Sequence, residues 1–202
     1  MLRADQLSVA GSGAPLSFEV APGRCFGLLG RSADHTSRVL LAVAALMRPS
    51  AGAVTIGGLD TVRNTEAARR RVAMTRTPCL DARLRLREYL TTVAHARRLG
   101  GTASRGSVDL VMERLALDGA LRLASPLARA SAALAAALMP AVGLVVLDEP
   151  FRHVSADTRA RAIEWIRSLS TGSVAVVIGG REEGDLRAVS HTVISLSSGD
   201  RR

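Results

Sequence analysis

Short apolar runs separated by glycine, proline and polar residues divide the chain into pieces of strand length and helix length. Gln6–Val9, Leu16–Val20 and Cys25–Leu29 are of strand length, the last entered through the turn Ala21-Pro22-Gly23. Val39–Met47 predicts an apolar helix stopped before Pro49, and Ala53–Ile56 predicts a strand closed by Gly57-Gly58. Arg71–Thr75 reads as a further strand. Leu84–Leu99 first alternates Leu with Arg and then takes a helical period. Gly100–Gly106 reads as a flexible loop ahead of an amphipathic helix at Val108–Leu117. The last third alternates helix and strand: Ser131–Leu138, Leu144–Leu147, Asp157–Leu169, Val174–Ile178, then Leu186–Ser190 and Thr192–Leu196. Such alternation predicts an α/β fold with a mostly parallel sheet and crossover helices. No internal repeat is visible.

One stretch invites a different reading. Ala130–Leu147 is apolar apart from Ser131 and is nearly long enough to cross a bilayer. Pro140 and Gly143 split it into an Ala/Leu half of helical character and a Val/Leu half of strand character. A buried helix followed by a buried parallel strand explains that split.

At 202 residues the chain can bury a sizeable core, and a hydrophobic content of 48% excludes a disordered chain. Aromatic residues make up only 2%, so the core must be built of Ala, Leu and Val. Every one of the 27 basic residues is arginine, and the formal net charge is +9. That balance admits nucleic acid, an anionic membrane or an acidic partner, but the arginines are scattered, as an Ala/Arg-rich coding bias would leave them. Cys25 and Cys79 have no metal-ligand spacing, and Cys25 reads as a small buried thiol. The start, Met1-Leu-Arg-Ala-Asp-Gln, has no apolar leader-like run, which predicts a cytoplasmic chain.

The residues that carry chemistry lie at two strand ends. Leu144-Val-Val-Leu-Asp-Glu-Pro150 is an apolar strand that delivers two adjacent carboxylates, Asp148 and Glu149. Cys25-Phe-Gly-Leu-Leu-Gly30 is another apolar strand, ending in a glycine where a phosphate-binding loop would begin. The next residues, Gly30-Arg31-Ser32-Ala33-Asp34-His35-Thr36-Ser37, match G-x-x-x-x-G-K-[ST] only at the first and last positions. His35 replaces the second glycine and Thr36 the lysine; the chain has no lysine to restore by a shift of register.

These pieces, in this order, resemble the ATP-binding subunits of ABC transporters from end to end. The family's Gly-Pro-Asn-Gly-Ala-Gly-Lys-Ser-Thr-Leu-Leu lies over Gly30–Leu40 without a gap. That register runs on into Leu46-Met47-Arg48-Pro49-Ser50-Ala51-Gly52, and Leu144–Pro150 matches the family's second ATPase motif. The resemblance implies a P-loop NTPase core with a mostly parallel sheet, an N-terminal antiparallel sheet and a helical subdomain near residues 80–125, all within one domain over 1–202. It further implies ATP and Mg²⁺ as ligands, with Ser37 and Asp148 on the metal, Glu149 positioning or deprotonating water, and Gly30–Ser37 around the phosphates. Partners would be a polytopic membrane domain and a second ATPase-like chain, in a homo- or heterodimer on the inner face of the cell membrane.

Several of the family's functional motifs are altered. A working loop needs close backbone approach and a cation. Here a side chain at His35 would cost about 1 kcal/mol if its φ must be positive. Asp34 would repel a phosphate by about 4 kcal/mol at 4 Å and an effective dielectric near 20. The signature Leu-Ser-Gly-Gly-Gln falls on Ala124-Ser125-Pro126-Leu127-Ala128, where only Ser125 survives. Gln6 is the only glutamine, so Arg76 or Thr77 stands near the coupling position. Phe151-Arg152-His153-Val154-Ser155 lacks the family's aspartate, and Val177-Ile178-Gly179-Gly180-Arg181 lacks its switch histidine; His191 comes too late and suits a surface turn. No aromatic stands between Met1 and Leu16 to stack on adenine. The expectation is a degenerate ABC-type subunit with weak or no ATP binding and negligible hydrolysis, acting as scaffold or regulator of a membrane transporter. Two alternatives stay open. One is a working ATPase subunit of an exporter, supported by Ser37, Asp148 and Glu149. The other, not favoured because it rests on charge alone, is a nucleic-acid-binding module using Arg69-Arg70-Arg71, Arg83, Arg85, Arg87, Arg97 and Arg98.

Overall fold

The computed structural model describes residues 1–11, 14–75, 81–139, 142–169 and 171–196. Arg76, Thr77, Cys79 and Pro140, singled out above, lie outside the described residues. The elements in chain order begin with β1 (Leu2–Ser8), β2 (Leu16–Val20), β3 (Cys25–Gly30), α1 (Ala33–Val43), β4 (Ala51–Ile56) and β5 (Leu59–Asp60). They continue with α2 (Thr65–Arg69), β6 (Val72–Met74), α3 (Leu86–Ala96), α4 (Gly101–Arg114) and α5 (Pro126–Leu138). The last are β7 (Leu144–Asp148), α6 (Ala156–Leu169), β8 (Ala175–Gly180), α7 (Glu183–Val189) and β9 (Thr192–Leu196).

Two compact units are distinguished. One comprises Met1–Met74, Val142–Glu149 and the chain from Ile166 onward; the other comprises Thr75–Ala141 and Pro150–Trp165. The first holds both sheets. A parallel sheet runs in the order β6-β7-β8-β3-β9, and an antiparallel sheet runs β2-β1-β4-β5. β7 and β8 lie inside the parallel sheet and are buried almost throughout, as the near-continuous Val/Leu/Ile sequence of both strands requires. Phe18 of β2 stacks on Phe26 of β3 with ring centroids 4.7 Å apart, so two of the three phenylalanines join one sheet to the other. Around them Leu2, Leu28, Leu40, Val146 and Val177 make one aliphatic core.

The second unit is helical. α5 buries Ala128, Ala132, Leu134, Ala135 and Leu138 among others, and its small side chains let α3 and α4 pack closely. Its C-terminal carbonyls are capped by Arg97, whose Nη1 and Nη2 donate to Met139 O at 3.1 Å and Ala136 O at 2.8 Å. Burial works against the Arg97 charge, and these two carbonyls offset part of that cost. Ala130–Leu147 is a helix followed by a strand rather than one long helix. Among the described residues no helix is long and apolar enough to cross a membrane.

Two sequence expectations are corrected here. Gly100–Gly106 is the start of a helix and not a flexible loop: Gly100 is the N-cap of α4, and Ser104 N–H donates to Gly100 O at 2.7 Å. Burial of Ser104, Val108, Val111 and Met112 along one face outweighs the poor helix propensity of the glycines. The helix after β3 runs over Ala33–Val43, not Val39–Met47. It starts early because nothing in Ala33–Thr36 demands a left-handed backbone and Asp34 suits the first turn. It stops early because Ala45 adopts a φ of 57°.

Candidate functional site

The parallel sheet brings the carboxyl ends of β3, β7 and β8 side by side. Leu29 of β3 pairs with Gly180 of β8, and Asp148 of β7 pairs with Gly179. The loop after β3, the carboxylates after β7 and Arg181 after β8 therefore share one edge of the sheet. Open parallel sheets bind ligands at such an edge.

The loop is shorter than its sequence predicts. Because α1 begins at Ala33, only Arg31 and Ser32 separate it from the end of β3 at Gly30. Ser32 is the N-cap but makes no capping bond with its side chain. Thr36 N–H, four residues on, is spent on Ser32 O at 3.2 Å. His35 is absent from the residues of positive φ, so the strain expected there does not arise; the segment has become helix instead. His35 Nδ1 lies 3.4 Å from Gly11 O, and Arg38 Nη1 donates to Ala10 O at 2.8 Å. Both side chains thus hold the first turns of α1 against the segment that follows β1. Arg31 and Asp34 are exposed.

Thr36 faces inward and is 2% exposed. Its hydroxyl donates to Ser32 O at 3.1 Å. A Cβ placed on Gly30 would stand 1.8 Å from Thr36 Oγ1, and one on Gly179 would stand 2.7 Å from Thr36 Cγ2. The glycines at 30 and 179 are therefore needed to admit Thr36. The side chain at the lysine position fills the inside of the loop rather than reaching over it.

On the other side, Ser37 Oγ donates to Asp148 Oδ2 at 2.6 Å. Burial raises the pKa of Asp148; the Ser37 hydroxyl draws it back, and the neighbouring Glu149 adds to the rise. Glu149 has a φ of 41° and places its N–H on Gly179 O at 2.9 Å. Its carboxylate Oε1 accepts from Arg181 Nε at 2.9 Å, with side-chain exposures of 18% for Glu149 and 47% for Arg181. In the sequence Arg181 shows only as the absence of a histidine. The signal was its place directly after the last residue of β8, one strand from the end of β7.

The signature-like segment belongs to the helical unit. Ser125 is the N-cap of α5, its Oγ accepting from Ala128 N–H at 3.1 Å, with Pro126 in the first turn. Leu127 is 46% exposed. In the segment after Pro150, Ser155 Oγ likewise accepts from Thr158 N–H at 3.1 Å, and Arg159 lies over the Phe151 ring. His191, on the far end of β3, accepts from Cys25 N–H through Nδ1 at 3.2 Å and returns its own N–H to Cys25 O at 2.9 Å. No group of three or more His, Cys, Asp or Glu residues poised for a metal occurs among the described residues.

Comparison with known proteins places this geometry. The profile of the ABC transporter family matches residues 14–152. The daunorubicin resistance ATP-binding protein DrrA3 of Streptomyces coeruleorubidus is 30% identical over 188 residues, covering 89% of this chain and 59% of that protein. The Nod factor export ATP-binding protein I of Burkholderia thailandensis is 28% identical over 202 residues, covering 96% of this chain and 64% of that protein. The chain thus spans about six-tenths of the length of these relatives. Among solved structures, an ATP-binding subunit of an ABC transporter superposes with a TM-score of 0.87 at 20% identity, over 98% of this chain and 87% of that one. The ATP-binding cassette MJ0796, dimeric and bound to ADP and Pi, superposes with a TM-score of 0.84 at 17% identity, over 100% of this chain and 97% of that one. At such identities these structures establish the shared fold.

Proposed function

The chain belongs to the ABC transporter family, as a nucleotide-binding domain of P-loop NTPase fold, and on that premise we propose that it is a degenerate member that binds Mg²⁺-ATP weakly or not at all. In this reading it serves as scaffold or regulator of a membrane transporter. It pairs with a polytopic membrane domain and a second ATPase-like chain, at the inner face of the cell membrane. Residues 1–202 act as one ABC-type domain with a helical subdomain. The single observation that carries the reading is Thr36 inside the loop, bonded to Ser32 O and lodged against Gly30.

The two halves of the site differ in their fit to the family's ligand. Ser37 and Asp148 supply oxygen donors of the kind a hard divalent cation takes. The phosphate half does not fit: the loop has two residues, Thr36 N–H is committed to the helix, and no lysine is present. A triphosphate would need the first turn of α1 to unwind and Thr36 to leave. Glu149, the relic of the catalytic base, is held by Arg181. Ser125, the relic of the signature, is engaged as a helix cap.

A second reading, a slow ATPase subunit of an exporter, is favoured by the intact Ser37–Asp148 pair and by the names of the two curated relatives, a drug-resistance and an export protein. Calorimetric titration of the full chain with Mg²⁺-ATP, followed by a turnover assay, decides between them. The expected result is no saturable heat with a Kd tighter than about 1 mM and no turnover above background. Saturable binding with turnover abolished by Glu149→Gln would establish the second reading.

A further inference from the structure

Arg167 and His191 have no part in the site above, yet the fold fixes both side chains. Arg167, in the last turn of α6, donates from Nε to Ala188 O at 2.7 Å. That bond satisfies a carbonyl at the end of α7 with one of the five guanidinium N–H groups. Among the described residues the two Nη groups of Arg167 have no hydrogen bond and no ion pair. His191, just ahead of β9, accepts from Cys25 N–H through Nδ1 at 3.2 Å. A neutral ring that accepts at Nδ1 carries its proton on Nε2, so Nε2–H is left as a donor.

Both residues line one cavity of about 320 Å³, together with Thr171, Arg187 and Ser190. It lies at the amino end of the parallel sheet, where His191 N–H bonds Cys25 O. About 16 Å of strand separates Cys25 from Gly30, so this is not the phosphate-loop edge. Among the described residues no carboxylate lines the cavity. Arg187 brings its own acid, Nη2 meeting Glu183 Oε1 at 2.6 Å, and Thr171 spends its hydroxyl proton on Ser168 O at 2.9 Å. His191 also lines a second cavity, of about 430 Å³, with Arg24 and Glu19. Glu19 is already met by Arg3 Nε at 3.3 Å. The charge around His191 is therefore positive, with the Arg167 fork and the imidazole N–H unspent.

We infer that this cavity binds a phosphate group, free or as a monoester, with the Arg167 fork on two oxygens and His191 Nε2–H on a third. The donor set selects the ligand. A planar carboxylate spends both of its oxygens on an arginine fork. A tetrahedral phosphate still has an oxygen for a donor that comes from another side chain. Its charge of nearly two also answers the positive balance of the cavity, which a single carboxylate would only half meet. Arginine suits the task because its planar fork keeps its charge while Nε is tied to Ala188 O.

The test titrates the full chain with inorganic phosphate at constant ionic strength and follows the backbone N–H of residue 191 by NMR. His191→Asn keeps an acceptor near the place of Nδ1 and removes the donor at Nε2. Arg24→Gln removes one positive charge from the neighbouring cavity and serves as the control. Thermal melts by circular dichroism check folding, and Arg167→Lys, which loses the fork, stands in if Arg167→Gln does not fold. The expected result is a saturable shift with a Kd on the order of 1 mM. That Kd should rise about tenfold in Arg167→Gln, about fivefold in His191→Asn and less than about threefold in Arg24→Gln. Glycerol 3-phosphate and vesicles containing phosphatidylinositol 4-phosphate separate the sources. Competition by the soluble ester supports a small phosphate ligand, and vesicle sedimentation lost in Arg167→Gln supports a lipid headgroup. No saturable shift, an equal response to acetate or chloride, or a Kd unmoved by both Arg167→Gln and His191→Asn overturns the inference.

Discussion

Ser37 Oγ donates to Asp148 Oδ2 across 2.6 Å, and that bond joins α1 to the end of β7. It also leaves a half-buried carboxylate in a setting that disfavours its charge. Burial is the larger influence on Asp148 and raises its pKa; the Ser37 hydroxyl opposes it, and Glu149 adds to it.

Asp148→Asn is therefore expected to stabilise the fold at pH 7. The sign follows from linkage. A raised carboxyl pKa means that the folded state holds its proton more tightly than the unfolded one. The stability this contributes is present below the ordinary value of 3.8 and is lost as pH rises through the folded value. At pH 7 the charge is a cost that asparagine removes, while its amide oxygen still accepts from Ser37. Urea melts at pH 7 and pH 5 measure it; a variant less stable at both values contradicts the electrostatics described here.

Arg181 and Glu149 should show a coupling of about 0.5–1 kcal/mol in a double-mutant cycle built from Arg181→Ala and Glu149→Gln. The value is modest because Arg181 is 47% exposed and water screens it. The coupling should shrink in 1 M salt, where the Debye length is about 3 Å. Additive effects of the two changes would mean that the pair contributes nothing beyond its separate contacts.

Much of the fold was legible because the elements that carry it are buried strands with unambiguous apolar runs. Leu16–Val20 and Thr192–Leu196 fall where the pattern places them, and Leu144–Leu147 is the buried parallel strand, extended by Asp148. What was not legible depends on neighbours distant in sequence. The first turn of α1 forms because Thr36 can sink between Gly30 and Gly179, and the latter lies more than a hundred residues away. α4 reaches back to Gly101 because Ser104 and Val108 find a buried face. Short pieces such as α2 and β5 carry too few residues to show a period. At the site, the motif losses were plain in the sequence, whereas the Arg181–Glu149 pair required the register that sets Asp148 beside Gly179.

Cys25 supplies a pH prediction of the opposite range. Burial pushes its thiol from 9.0 up to about 11, with only a partial return from Ser190. Folding thus favours the protonated thiol, so its contribution is complete below pH 9 and is lost as pH rises through about 11. The chain should lose up to about 2 kcal/mol over that interval through this group, and Cys25→Ala should flatten the profile. In a Cys79→Ser background the native protein should react with iodoacetamide at pH 8 far more slowly than the urea-unfolded chain. Equal rates would place the thiol in solvent.

The phosphate loop offers the sharpest test of the proposed weakness toward ATP. The triple change Asp34→Ala, His35→Gly and Thr36→Lys acts on three separate obstacles. Alanine removes a carboxylate from the phosphate space, where repulsion at 4 Å is worth about 4 kcal/mol at an effective dielectric near 20. Glycine costs the first turn of α1 about 1 kcal/mol of helix propensity and so favours unwinding it. Lysine takes Thr36 out from under Gly30, ends its bond to Ser32 O and supplies a cation. Ser37 and Asp148 remain in place for Mg²⁺. A folded triple variant should bind Mg²⁺-ATP with a Kd below about 1 mM by calorimetry. Hydrolysis should stay near background, because Ser125 is still occupied as the cap of α5 and Leu127 still stands in the signature-like segment. If the variant melts cooperatively and gains no affinity, the obstacle lies beyond the loop. The bond of Arg38 to Ala10, which the triple change leaves in place, would then be the next contact to remove, with Arg38→Ala as its test.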